Sequence, residues 1–336
     1  MTVMNIRDAL NQVLMQEMER DDNVIVLGED ISGGAGTPSG KQEAIGGIWG
    51  VTGGLLPKYG AERVIDTPIS ESAIVGAAAG AALTGKRPVA ELMFADFIGV
   101  SMDQIFNQVA KFRYMFGGKT RCPMVLRLTY GAGMNSGAQH SQAMYPILTH
   151  IPGLKVVMPS NAYDAKGLFL RAIRDDDPVM FFEHKALYGK KMEVPDEDFE
   201  IPFGIGNLVR EGENATIVAF GRMVAFAEKA ADALAAEGIG CDVIDPRTTS
   251  PLDEEMIIES VEKTGRMVVV DEANPRCSMA SDIAGLVAEK AFSSLKAPVL
   301  PVTAPHSPVP FARELERAYV PSPVDIGEAV KKSLAF

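Results

Sequence analysis

The stretch Val24-Ile25-Val26-Leu27-Gly28-Glu29-Asp30 decides how the chain is read. Its apolar residues, mostly β-branched, run without alternation and stop at a glycine followed by two acids. So short a run with no polar face fits a strand buried on both sides, as in a parallel sheet. Just before it, Ile6, Leu10, Val13, Leu14 and Met18 recur at helical spacing. The alternation continues outward. Strands are expected over residues 63–66, 88–94, 123–129, 155–158 and 178–182, with helices over 71–84, 102–116 and 163–174 between them. Strand, helix, strand in this order implies an α/β layer with a mainly parallel sheet.

Past Lys185 the pattern lapses into Lys190-Lys191, Pro195, Asp196, Glu197 and Asp198, the composition of a linker. A second α/β unit then begins. Its expected strands are 216–220, 241–244, 267–270 and 299–302, its helices 225–237, 253–263, 280–291 and 326–334, with a proline-rich stretch over 301–323. The chain is thus expected to be α/β, with two doubly wound, mainly parallel-sheet domains at 1–185 and 203–336 and a linker at 186–202.

A chain of 336 residues, 47% hydrophobic and 23% charged, has room for two cores of ordinary size. The net charge of −12 argues against a nucleic-acid partner, because binding phosphates needs a basic face. No apolar run is long enough to cross a bilayer. Asp8, Glu17, Glu19, Asp21 and Asp22 suit neither a secretory signal nor an acid-poor transit peptide, so a cytoplasmic location is expected. Cys122, Cys241 and Cys277 form no Cys-x-x-Cys and read as reduced, mostly packed thiols.

Ligands of parallel α/β sheets sit beyond the carboxyl ends of the strands. Glu29 follows the first strand, Thr67-Pro68-Ile69-Ser70-Glu71 the second, and Phe94, Asp96 and Phe97 the third. The fourth leads through the glycine-rich 131–137 loop to Gln139-His140-Ser141-Gln142. Two glutamates, a histidine and an aromatic would converge at one edge. Each has a plainer reading. Glu71 suits the first turn of a helix, where the dipole stabilises an acid. Glu29 could bond loop amides, and a lone histidine such as His140 is usually structural or on the surface; His150 and His184 are read as structural and His306 as part of a surface turn. Gly34-Ala35-Gly36 and Gly131-Ala132-Gly133 fall short of a dinucleotide fingerprint. The small-residue stretch 73–85 is expected to press closely against another helix or subunit.

The motif Asp66-Thr67-Pro68-Ile69-Ser70-Glu71, followed by Ala138-Gln139-His140-Ser141-Gln142, resembles the β subunits of 2-oxo acid dehydrogenase first components, a transketolase-like family. Leu27-Gly28-Glu29-Asp30, Gly85-Lys86-Arg87-Pro88, Asp103-Gln104-Ile105 and Pro152-Gly153-Leu154-Lys155 extend the resemblance over essentially the whole chain. Ala90-Glu91-Leu92-Met93-Phe94, the segment 110–119 and Leu148-Thr149-His150-Ile151-Pro152 look most like the acetoin-cleaving members. Pyruvate and branched-chain enzymes share the frame. The segment 33–53 departs from the shorter loop of pyruvate enzymes, and nothing is carried over there.

The resemblance implies a thiamine-diphosphate pyrimidine-binding fold followed by a transketolase C-terminal-like domain. It makes Glu71 the acid that hydrogen-bonds the pyrimidine ring of thiamine diphosphate and stabilises the tautomer that accepts a proton. Phe97 packs on that ring with Met93 nearby, His140 meets intermediates, and Glu29 is a supporting acid. The Gly-Asp-Gly motif that holds Mg²⁺ and diphosphate is missing from the sequence. The resemblance assigns it to a partner α subunit, with an α2β2 assembly and a dihydrolipoyl acyltransferase as further partners. It also implies a potassium site from the carbonyls of Met124, Ala172 and Asp175 with Ile173 and Asp177; an acidic turn capping a helix is the plainer reading. The expected function is cleavage of acetoin with acetyl transfer to lipoamide. The alternatives are a pyruvate or branched-chain 2-oxo acid dehydrogenase β subunit, a non-catalytic scaffold and a self-sufficient transketolase-like enzyme.

Overall fold

A computed structural model describes residues 1–32 and 46–336. The Gly34-Ala35-Gly36 reading and most of the 33–53 segment lie outside the described residues.

The first helix, α1 (Ile6–Arg20), starts where the Asn5 side chain accepts from the Asp8 amide, and it buries Ile6, Leu10, Val13, Leu14 and Met18. Its Glu17 is buried too, paired with Arg174 at 2.6 Å and with Arg20 at 2.6 Å. The decisive stretch is strand β2 (Val24–Gly28), buried throughout. It follows a short β1 (Thr2–Asn5). Around β2 the chain lays down β3 (Val64–Asp66), β4 (Arg87–Leu92), β5 (Val125–Tyr130), β6 (Lys155–Val157) and β7 (Val179–His184). Helices α2 (Glu71–Leu83) and α3 (Ala162–Arg174) are among the connections. After β8 (Lys191–Val194), β9 (Asn207–Arg210), β10 (Ala215–Ala219), β11 (Cys241–Asp245) and β12 (Thr248–Ser250) come β13 (Met267–Asp271) and β14 (Leu300–Thr303). Helices α4 (Arg222–Ala235), α5 (Glu254–Thr264), α6 (Met279–Lys290) and α7 (Pro323–Leu334) cover this second half.

The first sheet has seven strands in the order β12-β6-β7-β5-β4-β2-β3, and the second has five, β14-β13-β10-β11-β9. Within these two sheets all pairs are parallel except β12 on β6 and β9 on β11. Both halves are therefore α/β with mostly parallel sheets. From β2 the chain steps outward to β3 and then back across β2 to β4. That reversal opens a crevice at the carboxyl ends of β2 and β4, the place where such sheets bind ligands.

Three things differ from expectation. The stretch 186–202 contains β8, which pairs antiparallel with β1. Strand β12, contributed by the second half, extends the first sheet. The helix expected over 102–116 begins at Ile98 and is interrupted. Residues Gln104–Val109 form a π-turn, in which the Ala110 amide donates to the Ile105 carbonyl at 3.1 Å. A Cβ on Gly153 would collide with the Ala110 carbonyl, so the turn at Gly153 packs directly on the end of this interruption. The small-residue helix α2 does approach another helix, but within the same chain: a Cβ at Gly76 would lie 3.2 Å from Gln104 Oε1.

The halves are joined by buried polar contacts. His184 Nε2 lies 2.7 Å from Glu272 Oε2, and the Tyr145 hydroxyl donates to Asp271. Ser160 Oγ donates to Asp245 at 2.5 Å, while Arg247 reaches Asp164 at 2.6 Å. Burial, and then the Asp164 charge, push the Asp245 carboxyl up to about 7. Its folded value stands above its unfolded one, so the folded state holds a proton that the unfolded chain gives up. Its stabilising share is complete below about pH 4 and is lost as pH rises toward 7. Asp245→Asn is expected to flatten this dependence and to gain roughly 1–3 kcal/mol near pH 8. Thermal midpoints measured from pH 5 to 8 check it; a variant with unchanged pH dependence contradicts it.

Among the described residues no helix is long and apolar enough to cross a membrane.

Candidate functional site

Glu71 occupies the first turn of α2, where Ser70 provides no side-chain cap, so the helix end leaves amide charge for the carboxylate. Strand β3 delivers it through Thr67, whose amide donates to the Gly28 carbonyl at 3.0 Å. Asp66 ties the same corner to the turn after β2, accepting from the Ser32 amide at 2.8 Å and from its hydroxyl. Glu29 lies in that turn, half-buried. Burial pushes its carboxyl up, and the charges of Asp30 and Glu71 push the same way. The two glutamates picked out in the sequence are thus near enough for the Glu71 charge to act on Glu29.

The third wall is aromatic. Past β4, Phe94 lies with its ring centroid 5.7 Å from that of Phe97, edge to face. The His140 ring packs edge-on against both, at 4.6 Å from Phe94 and 5.5 Å from Phe97. Met93, buried, turns its carbonyl to Trp49 Nε1 at 3.0 Å and to the Thr129 hydroxyl. Trp49 in turn stacks on Tyr188 at 5.3 Å and meets Phe94 edge-on at 5.8 Å. Ser72 Oγ donates to the Val100 carbonyl at 2.7 Å, fastening the start of α2 to the helix beyond Phe97. Asp96 Oδ1 accepts from the Gln142 amide at 3.2 Å and side chain at 2.8 Å, fastening that turn to the His140 loop. The fold thereby gathers Glu29, Glu71, Met93, Phe97 and His140 along one sheet edge.

The glycine-rich loop leading to His140 is held from the second half. The Ala132 amide donates to Glu272 at 2.6 Å, and Asn135 donates to Glu316 from its amide and its side chain. Gly131, at φ 92, lies so near the His184 imidazole that a Cβ would collide with it. His184 is buried and paired with Glu272, as a structural histidine should be, whereas His150 and His306 are exposed.

Several residues of the site were missed. Trp49 and Lys185 reach it from turns, Lys185 from the turn directly after β7, where reading the strand ends would have found it. Beneath the site lies a buried triad that also went unread: Arg127 bonds Glu183 at 2.7 Å twice and pairs with Glu91. Charged residues inside fully buried strands were the available signal.

The residues expected to hold potassium do gather in one corner, but their oxygens are engaged. Arg87 donates to the carbonyls of Ile173 at 3.1 Å and Asp175 at 2.9 Å. The Met124 carbonyl accepts from the Val179 amide and that of Ala172 from the Asp175 amide. Lys155 at 2.5 Å and Arg171 at 3.2 Å hold the Asp175 carboxylate, and Arg113 pairs with Asp177. Side-chain cations already neutralise this corner, so the potassium expectation draws no support from it. A cavity of about 850 Å³ adjoins it, lined by Ala110, Arg113, Tyr114, Gly153 and Asp177 and by none of the residues gathered around Glu71.

Two buried oxygens near the crevice, Thr67 Oγ1 and Asp96 Oδ2, have no hydrogen-bond partner among the described residues. With an aromatic wall on one side and paired acids on the other, they suit a flat, nitrogen-bearing ring.

Residues 2–191 match the transketolase pyrimidine binding domain and residues 204–326 the transketolase C-terminal domain. The acetoin:2,6-dichlorophenolindophenol oxidoreductase subunit beta of Cupriavidus necator is 56% identical, over 98% of this chain and 97% of its own. Its counterpart in Bacillus subtilis is 54% identical over 96% and 94%. The pyruvate dehydrogenase E1 component subunit beta of Rickettsia felis is 45% identical over 97% of each chain. A solved chain described as a split gene transketolase, inactive beta4 tetramer, superposes with a TM-score of 0.78 at 25% identity, covering 99% of this chain and 98% of that one. The chain belongs to the transketolase-like family of β subunits of thiamine-diphosphate-dependent 2-oxo acid dehydrogenase first components.

Proposed function

We propose that this chain is the β subunit of an acetoin dehydrogenase, providing the pyrimidine side of an active site completed by an α subunit. The observation that carries the reading is the gathering of Glu29 and Glu71 opposite Phe97 and His140 at the strand reversal. Greater identity to the acetoin oxidoreductase subunits than to the pyruvate one favours acetoin.

Thiamine diphosphate, when bound, supplies a carbon nucleophile that adds to a carbonyl and accepts charge as the neighbouring carbon–carbon bond breaks. Glu71 would hold a proton between its carboxyl and a ring nitrogen of the cofactor; a shorter aspartate would not reach, and glutamine could not relay the proton. Phe97 and Met93 would bound the ring. Glu29, its carboxyl pushed up by burial and by the charges of Asp30 and Glu71, would be a supporting acid beside Glu71. His140 would orient the substrate oxygen and pass a proton to or from it. The α subunit would hold Mg²⁺ and the diphosphate, since the Gly-Asp-Gly motif is not in this chain. In the overall reaction acetoin loses acetaldehyde, and its remaining two-carbon unit becomes an acetyl thioester as the lipoamide disulfide is reduced. A dihydrolipoyl acyltransferase would carry that lipoamide.

Purified α and β subunits assayed with both substrates test the reading. A higher kcat/KM with acetoin than with pyruvate is expected; the reverse, with carbon dioxide released, makes this a pyruvate dehydrogenase subunit.

A further inference from the structure

Lys185 is 2% exposed, in the turn after β7. A lysine so buried ordinarily needs an opposite charge beside it. The described hydrogen-bond partners of its ammonium are neutral: the His140 carbonyl and, at 3.5 Å, the Ser141 hydroxyl. The same ammonium lies 5.3 Å from the centroid of Phe94, the ring on which His140 packs at 4.6 Å. Burial pulls the ammonium down, against the more distant charges of Asp96, Glu316 and Glu272. One side chain thus grips both the backbone of the proposed catalytic histidine and the ring that fixes its imidazole. Asp96 holds the next turn of the same loop through Gln142.

We propose that Lys185 is a positioning residue that sets His140 for proton transfer by pinning its carbonyl and bracing Phe94. The inference rests on the reading of His140 given above. It accounts for a lysine in a buried place where its hydrogen-bond partners among the described residues are neutral: a donor with reach and a cation for the ring are both needed there.

The test is a double-mutant cycle in the assembled αβ enzyme, joined to crystal structures of the variants. Lys185→Met is expected to lower kcat by roughly 10²-fold with KM little changed, as for a displaced catalytic group. In a His140→Ala background the same substitution should cause no further loss. Lys185→Arg, which keeps a cationic donor, should recover most of the turnover. In the Lys185→Met structure the 4.6 Å His140–Phe94 contact should be lost, and in Lys185→Arg kept. Should Lys185→Met not assemble, Lys185→Gln enters the same cycle. An unmoved His140 ring, or an equal loss of kcat in both backgrounds, overturns the inference. Full turnover in His140→Ala with a ring displaced by Lys185→Met would instead overturn the catalytic reading of His140 and leave the pinning standing.

Discussion

Glu71→Gln in the assembled enzyme is expected to lower kcat by about 10²–10⁴-fold, the usual contribution of a positioned acid–base group. The glutamine keeps the size of the side chain and the start of α2, so folding and assembly should survive. Loss of the carboxylate from the first helical turn costs about 0.3–1 kcal/mol of dipole interaction, too little to unfold a domain of this size. Steady-state turnover with the α subunit present, beside a sedimentation profile unchanged from the parent, checks both halves. A Glu71→Gln enzyme that turns over normally would remove the carboxyl from the chemistry and leave it as a helix-end acid. The geometry argues otherwise, because Glu71 faces a second acid whose proton affinity its own charge raises. Two acids brought together for stability alone would repel.

The second large effect concerns Arg127. Its guanidinium is 1% exposed and bridges Glu91 and Glu183, which are 3% and 0% exposed. In Arg127→Met the arginine is gone and two carboxylates stay behind in the middle of the sheet. Removal of one partner from a buried ionic cluster destabilises by about 3–5 kcal/mol. Burial already pushes the Glu91 carboxyl up, and without Arg127 it rises further. The deficit should therefore shrink as pH falls, since a protonated Glu91 needs no counter-charge. Urea unfolding of the variant at pH 5.5 and 8 measures this; equal deficits at both pH values contradict the account. The triad also supports the site from below: Tyr188 donates to Glu183 and stacks on Trp49, which holds the Met93 carbonyl.

The strands that carry the fold were legible because both faces of a parallel sheet are covered. Val24–Gly28, Ala215–Ala219 and Met267–Asp271 read as largely apolar runs, and all are buried throughout. The residues just beyond the strand ends then pointed to Glu29, Glu71, Phe97 and His140, since topology alone brings those ends together. Strand β12 was not legible: three residues of Thr-Thr-Ser have no periodicity, and their pairing with β6 depends on how the second half packs on the first. The pairing of β1 with β8 escaped for a similar reason, because Lys191-Met192-Glu193 is exposed and polar like any linker. The π-turn at 104–109 ends at Ala110, whose carbonyl leaves no room for a side chain at Gly153, a contact between residues far apart in sequence. Arg87 likewise reaches the 173–175 turn from the start of β4, and no local pattern around Asp175 announces it.

The central claim is that this chain forms one wall of a cofactor site whose other wall belongs to a second polypeptide. Calorimetric titration of thiamine diphosphate with Mg²⁺ into this chain alone, into the α subunit alone and into the mixture tests it most directly. Saturable, tight binding in the mixture and none comparable in either subunit alone is the predicted result. Tight binding by this chain alone would contradict the account.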